Sequence, residues 1–485
     1  MAADLLLRGG TLIDGSGAPR RRADVALKDG RIEAIGELSP SSAAAVADLD
    51  GLVVAPGFID VHTHDDRLLL SDPSMTPKLS QGVTTVVVGN CGISLAPLGN
   101  APLVPPINLL AADVREADLQ RFGSFADYFA ALEATPSAIN CAALIGHTTL
   151  RVVAMSDLER PATEREIAAM QVLVREGLAS GAVGVSTGTA YAPANAATSD
   201  EIRSVCTPLR GTSALIASHI RDEGDHVLES MTEAMTIAND LGVRQVLSHH
   251  KVIGRGNFGR SRETLALLDE ARRTNDVCLD CYPYSASSTV LSKTAAQAAQ
   301  RVLITWSKAR ADAAGRYLDE LAAEAGVDVD ALVDSLQPAG AIYFSMDEAD
   351  VERILAYPET MIGSDGLPHD ESPHPRLWGT FPRVLGHYAR ERKLFSLESA
   401  VHKMSGLPAA RFRLVGRGLV APGYSADLVV FDPERVTDSA TFARPKVPAA
   451  GIVSVYVNGT LAWQDGHSTG ARTGRPIRRS GASVA

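Results

Sequence analysis

Two imidazoles one residue apart, His62 and His64, close a short apolar run that leaves a Pro56-Gly57 turn. Side chains two residues apart on an extended strand share a face. His62 and His64 can therefore hold one cation at the carboxyl end of a strand, where barrel enzymes carry their sites. A His-x-His also occurs in ordinary cores, so the pair gains meaning only from companions. His219 ends the run 214–218, His249 the run 243–248 and Asp365 the run 359–364, while Cys91 follows the apolar 83–89. Four histidines, a thiol and a carboxylate, each at the end of an apolar run, are the makings of a hydrolytic metal centre. Zinc takes nitrogen and sulfur ligands, so Cys91, His219 and His249 form a tight site with an open position. His62 and His64 could complete a second position nearby, with a Cys91 thiolate as the bridge. Asp365 is suited to orient a water, take its proton and hand it to a departing amine. The competing use of Cys91 is as a thiolate nucleophile, but it follows a strand rather than opening a clear helix.

The elements that must position these groups read as strands alternating with helices, the grammar of a parallel α/β core. Candidate strands end at His64, Cys91, His147, Thr187, His219, His249, Cys281 and Asp365. Helical periodicity runs over 163–179, 225–241 and 261–275. Eight such ends predict a (β/α)8 TIM-like barrel spanning 55–414, with an insertion at about 284–361 over the active site. Within the insertion, helices are expected at 313–325 and 348–356; 99–120, with its Pro105-Pro106, reads as a loop. Short strands punctuated by Asp29-Gly30 and Asn458-Gly459 turns predict a small composite β-domain from both termini, 1–54 plus 415–485. From His467 the chain reads either as a mobile end or as a strap across a neighbouring subunit, which leaves a homo-oligomer open.

A chain of 485 residues, 45% hydrophobic and 21% charged, suits a large enzyme with a smaller second domain. A net charge of −11 argues against a nucleic-acid surface, and the sequence has neither a membrane-spanning run nor a signal peptide. Five cysteines are an odd number and no disulfide framework, which favours the cytoplasm. Cys278 and Cys281 lie on one strand and are read as ordinary packing.

Several stretches together carry a resemblance. Pro56-Gly-Phe-Ile-Asp-Val-His-Thr-His-Asp-Asp66, Gly89-Asn-Cys-Gly92, Ser218-His219, Ser248-His-His-Lys251 and Gly363-Ser-Asp-Gly-Leu-Pro368 look like the N-acyl-D-amino-acid deacylases, or D-aminoacylases, of the metal-dependent amidohydrolase superfamily. The similarity runs almost end to end and includes Pro375-Arg-Leu-Trp-Gly-Thr-Phe-Pro382. It implies a distorted barrel, a tight zinc on Cys91, His219 and His249, a weakly occupied second site at His62 and His64, and Asp365 as catalytic base and acid. The implied reaction is hydrolysis of an N-acyl-D-amino acid to a carboxylate and the free D-amino acid. Matching Ser-His-x-Lys makes His249 the ligand and His250 structural.

The substrate α-carboxylate needs donors opposite the metal. Arg376 offers a planar fork and Lys251 a point charge. In similar enzymes the residues matching Lys251, Tyr282, Ser288 and Arg376 are placed there. Taken without the resemblance, Arg376 is a surface or lid residue and Tyr282 a strand-end aromatic. Tyr191 is either a group that positions the scissile amide or a turn residue packed beside Pro193. His147 is assigned to support of the centre, His369 and His374 to the entrance, and His226, His387, His402 and His467 to structural or exposed positions. Lys293, Lys308 and Arg310 are candidates to receive an acidic side chain, which keeps a deacylase of N-acyl-D-glutamate or N-acyl-D-aspartate as the alternative. A cyclic-amide hydrolase of the dihydroorotase or hydantoinase kind would need a lysine near the end of the fourth strand, and 182–190 has none.

Overall fold

The computed structural model describes residues 3–480. Its centre is eight parallel strands: Phe58–Asp60, Val83–Val88, Asn140–Gly146, Gly184–Gly188, Leu215–His219, Arg244–Leu247, Val277–Cys281 and Thr360–Ile362. Sheet order follows chain order. Apart from Arg244, every residue of these strands is buried, as expected of strands covered on both faces. These are the eight strands whose polar ends mark them in the sequence.

The barrel is distorted at the seam between its first and eighth strands, which have only three residues each. Closure comes from a bridge between Thr63 and Gly366 and from the Asp365 amide, which donates to His62 O at 2.7 Å. Side chains fill the rest. The Ser364 amide donates to Asp60 Oδ1 at 2.8 Å, and Lys78 Nζ donates to Asp60 Oδ2 at 2.6 Å and to Ser364 Oγ at 2.8 Å. Lys78 and Asp60 are fully buried, so neither charge has water to fall back on. Removing one partner of such a pair typically costs about 3–5 kcal/mol. Lys78→Met should accordingly lower the denaturant midpoint strongly, and adding Asp60→Asn should recover part of the loss. An unshifted midpoint would mean that the backbone alone holds the seam.

The barrel interior is filled by Ile59, Val87, Leu144, Val183, Leu215, Val246, Cys278 and Met361, and Phe412 and Leu414 join this cluster. Cys281 belongs to a different, outer cluster, so the two cysteines pack apart, as read from the sequence. Helices cover the outside. Glu164–Ser180 shows why: Thr163 and Glu166 form a capping box, Met170, Val174 and Leu178 bury one stripe, and Gly181 stops the helix at φ 113°.

Two further sheets come from the chain ends. One, with order Arg31–Gly36, Asp24–Lys28, Ala3–Arg8, Ala43–Asp48, is wholly N-terminal. The other joins both ends, because Val53–Pro56 pairs antiparallel with Leu428–Phe431. Gly57 then turns directly into the first barrel strand, where a Cβ would lie 2.2 Å from Thr84 Cγ2.

The excursion after the seventh strand is a three-stranded antiparallel sheet, Ser287–Val290, Arg301–Ser307 and Ala339–Phe344, with its own core. The helix expected over 313–325 starts only at Leu318, because a turn at Ala311–Ala313 and Gly315 at φ 78° precede it. A second helix, Val329–Leu336, is capped by Asp328 and was not foreseen. Glu348–Ala356 packs on Ser261–Ala271 and on the seventh and eighth strands, so it covers the barrel rather than the insertion. The C-terminal segment also differs from expectation. It is neither a mobile end nor a strap on a neighbour up to residue 480: Cys141 N donates to Arg475 O at 3.0 Å, Ile477 N to Cys141 O at 2.7 Å and Arg479 N to Gly181 O at 2.9 Å. The early part of the third strand offers backbone groups that need partners, and the tail supplies them.

Candidate metal centre

Three of the predicted site residues are held in an unusual backbone conformation. Cys91, His249 and Asp365 stand at φ 54°, 34° and 49°, the left-handed region that costs a non-glycine residue roughly 1 kcal/mol or more. Each is fixed from the side. Asn90 Nδ2 donates to Val87 O at 2.8 Å, Asp280 Oδ1 accepts from His249 N at 2.9 Å, and His62 O accepts from Asp365 N. The Cys91 turn also needs Gly89, at φ 79°, where a Cβ would fall 2.1 Å from Leu144 O.

The donor atoms converge in two groups, Cys91 with His219 and His249, and His62 and His64 with Cys91 and Asp365; within each group they lie within 4.8 Å of one another. Cys91 Sγ is 3.2 Å from His62 Nε2 and 3.3 Å from His249 Nε2, which in turn is 2.9 Å from His219 Nδ1. Asp365 Oδ1 is 3.3 Å from His64 Nε2 and 3.6 Å from His62 Nε2. Asp365 therefore belongs to the second donor group as well as standing where a proton carrier would, an overlap the strand-end pattern does not reveal.

The electrostatics favour two buried anions. Burial pushes the Cys91 thiol up, but the His62 and His249 imidazoles outweigh it and hold it well below its ordinary range. Burial likewise pushes Asp365 up, and the Arg376 guanidinium outweighs it. His64 is pushed down by burial yet carried up to about 9 by Asp365 and Cys91. Two buried anions draw protons onto their neighbours, and the inward-facing donors are the nitrogen and sulfur that zinc prefers. The residues present thus fit a tight divalent metal and an auxiliary one beside it, with Cys91 common to both donor groups.

The carboxylate-binding candidates gather on one side. Arg376 is fully buried rather than on a surface or lid: its Nη2 donates to Asp365 Oδ2 at 2.9 Å and to Ser288 O at 3.1 Å, while Nε and Nη1 have no partner. Its guanidinium lies 4.5 Å from the centroid of the buried Tyr282 ring. Ser288 is buried, meeting Arg376 through its carbonyl while its Oγ is unpartnered. Tyr191 is no mere turn residue; its ring stands edge-on to His219 at 4.8 Å and its hydroxyl is 2.9 Å from Thr289 Oγ1. Lys251 Nζ, the point charge of the set, donates to Glu223 Oε1 at 2.5 Å and lies 5.7 Å from the centroid of the Tyr282 ring.

His250 is structural, with Nε2 2.8 Å from Thr264 Oγ1. His147 does not support the centre as expected; it opens the helix His147–Ala154 and faces Glu201 at 3.4 Å, beside the buried Arg151–Glu201 pair. His374 is buried and accepts from the Arg376 amide at 3.0 Å, while His369 joins Arg67 and Asp113. Among the remaining histidines, His402 lies 2.8 Å from Gly15 O, His387 pairs with Glu391, and His226 and His467 are exposed. Lys293 pairs with Asp334 and Arg310 with Asp312 on the exterior, and Lys308 lines an outer cavity of about 480 Å³ with Asp113 and Glu371. Sequence reasoning missed Asp280, whose Oδ1 is 3.3 Å from His62 Nδ1, and Glu223. A carboxylate near the end of an apolar strand, as in Leu279-Asp280-Cys281, was the signal for the first. No helix of the described residues is long and apolar enough to cross a membrane.

Comparison with known proteins gives the same picture. The model of the amidohydrolase family matches residues 45–462. The chain is 58% identical to a D-aminoacylase of Alcaligenes xylosoxydans xylosoxydans over 99% of its own length and 98% of the relative's. It is 53% identical to an N-acyl-D-aspartate deacylase of that organism, over 97% and 93%, and 47% identical to its N-acyl-D-glutamate deacylase, over 99% and 98%. A solved D-aminoacylase structure, described as defining a novel subset of amidohydrolases, superposes with TM-score 0.95 at 56% identity, over 98% of this chain and all of that one. An N-acyl-D-glutamate deacylase from Bordetella bronchiseptica, solved with zinc and a phosphonate mimic of the tetrahedral intermediate, superposes with TM-score 0.93 at 45% identity, over 99% and 100%.

Proposed function

This chain belongs to the amidohydrolase family and to its D-aminoacylase branch, and we propose from that premise that its preferred substrates are N-acyl-D-amino acids with uncharged side chains. The reaction is metal-dependent hydrolysis to a carboxylate and the free D-amino acid. One observation carries the preference: Lys293 and Arg310 are tied to acidic partners on the exterior, whereas the groups beside the carboxylate donors are Tyr191, Tyr282 and Met346. The higher identity to the D-aminoacylase than to the two acidic deacylases supports it. The fourth strand carries Ser186 and Thr187 and no lysine, which argues against a cyclic-amide hydrolase. Five buried, unbridged cysteines support a cytoplasmic setting.

Cys91, His219 and His249 would hold the tight zinc, and His62 and His64 with Asp365 the auxiliary metal. Bound there, zinc supplies Lewis acidity toward the amide carbonyl and toward water. Asp365 does the proton work. Its Oδ2 is held by Arg376, so while the auxiliary position is empty Oδ1 is left to take a proton from water as the water oxygen bonds to the carbonyl carbon. The same proton passes to the amide nitrogen as the C–N bond breaks. Tyr191 donates to the carbonyl oxygen as charge builds there. The α-carboxylate settles against the unpaired donor edge of the Arg376 guanidinium over the Tyr282 ring, with Lys251 beside it. Carboxylate, amide and side chain are then fixed at three points, and an L enantiomer can satisfy only two.

The test is chiral analysis of the amino acid released from racemic N-acetylmethionine by zinc-loaded protein, beside N-acetyl-D-glutamate and N-acetyl-D-aspartate. D-methionine alone, released with the higher kcat/KM, is the expected result. Faster turnover of the acidic substrates would overturn the side-chain preference, and release of L-methionine the stereochemistry. The carboxylate assignment has its own check. Arg376→Lys keeps a charge for Asp365 but loses the planar fork, so KM should rise roughly 10- to 100-fold with a smaller change in kcat.

A further inference from the structure

Glu223 lies four residues beyond the ligand His219, in the loop that follows the fifth barrel strand. An Arg221-Asp222-Glu223-Gly224 sequence reads as a solvated turn, yet the Glu223 side chain is only 12% exposed. Its backbone is pinned from the neighbouring loop, where Ile253 N donates to Glu223 O at 2.9 Å. The carboxylate consequently points back under the metal centre. Its Oε1 lies 3.2 Å from His249 Nδ1, 3.7 Å from His219 Nε2 and 2.5 Å from Lys251 Nζ.

These are the outward nitrogens of both rings. The inward ones, His249 Nε2 and His219 Nδ1, face each other at 2.9 Å, and His249 Nε2 faces Cys91. A neutral imidazole that offers one nitrogen to a metal carries its proton on the other, and that N–H needs an acceptor. Lys251 Nζ, 2.7 Å from the same His249 Nδ1, is a donor with no lone pair to give. Glu223 is the acceptor within hydrogen-bond reach of His249 Nδ1, and its charge stands 3.7 Å from His219 Nε2. Taking the metal reading of Cys91, His219 and His249 as its ground, we infer that Glu223 is the positioning residue of that site. Its carboxylate orients the His249 ring directly, favours a proton on the outward nitrogen of His219 by its charge, and at the same time anchors the carboxylate-binding lysine. Metal retention and α-carboxylate recognition thereby share a single support that is neither a ligand nor a catalytic group.

The experiment reads zinc affinity directly, by competition between the purified protein and a chromophoric zinc chelator, in wild type, Glu223→Gln and Glu223→Asp. Loss of a carboxylate that orients metal ligands from behind typically weakens metal binding about 10- to 100-fold. Glu223→Gln should lose tight-site affinity by that factor, and Glu223→Asp, which keeps the charge but withdraws it by one methylene, should fall between. The cobalt-substituted variants should still show the thiolate charge-transfer band, because the ligands themselves are unchanged. Wild-type zinc affinity in Glu223→Gln would overturn the inference; should that variant fail to fold, wild-type affinity in Glu223→Asp would do the same. No substrate enters this measurement, so its outcome does not depend on the substrate assignment, whereas a chain that binds no zinc at all would instead sink the metal reading.

Discussion

Asp365→Asn is expected to retain the tight zinc and to lose about 10²- to 10⁴-fold in kcat, the range that a positioned general acid or base contributes. The side chain keeps its shape, so the loss is chemical. Arg376 Nη2 stands 2.9 Å from one carboxylate oxygen and His64 Nε2 3.3 Å from the other. An asparagine must present its carbonyl oxygen to the guanidinium, since a guanidinium only donates. The amide nitrogen then occupies the position of Oδ1, the oxygen assigned to accept a proton from water, and it cannot accept one. The tight donor group of Cys91, His219 and His249 does not include Asp365, so zinc should remain near one per chain by metal analysis. Unchanged turnover in the zinc-loaded variant would remove Asp365 from the proton path. Loss of all zinc would show that the two donor groups hold metal only together.

The barrel and the ligands were legible because each functional residue interrupts an apolar run at its carboxyl end. Burial on both faces makes such strands continuous in Val, Ile, Leu and Ala, and a histidine or aspartate there stands out. Val83–Val88 before Cys91 and Leu215–Ser218 before His219 are the clearest cases. What stayed hidden depends on partners far away in sequence. Lys78 reads as one more solvated lysine until Asp60 and Ser364, the latter 286 residues away, close around it. Arg376 reads as a loop cation because nothing local announces Asp365 beside it. Glu223 looks like turn chemistry, and its meaning comes from Ile253 and Lys251 on the next loop. The tail after His467 is polar and rich in glycine and arginine, a composition that suggests mobility, but its backbone pairs with Cys141 and Gly181. Composition does not report backbone pairing.

Replacing Cys91 has the largest expected effect on the centre, because its sulfur is the one atom common to both donor groups. In Cys91→Ala the tight group falls to His219 and His249, and the auxiliary group loses the bridge that joins it to them. Zinc affinity should therefore drop by more than the ~10- to 100-fold that substitutions behind the ligands cost. Cys91→Ser should rescue little, since a hydroxyl is a harder donor that resists deprotonation while a buried thiol beside His62 and His249 does not. The same variants separate the metal reading from the rival in which Cys91 attacks the amide as a thiolate. A nucleophile can be removed without loosening a metal held by others: turnover would vanish while zinc stayed at its wild-type stoichiometry and affinity. If Cys91 is a ligand, zinc and turnover go together, and added zinc restores neither at concentrations that saturate wild type. The structure favours the second outcome on geometry, for the sulfur sits 3.2 and 3.3 Å from two imidazole nitrogens that converge on it from different strands. A nucleophile needs one base and an open approach, whereas a thiolate flanked by two imidazoles and buried to 3% exposure is placed to be shared.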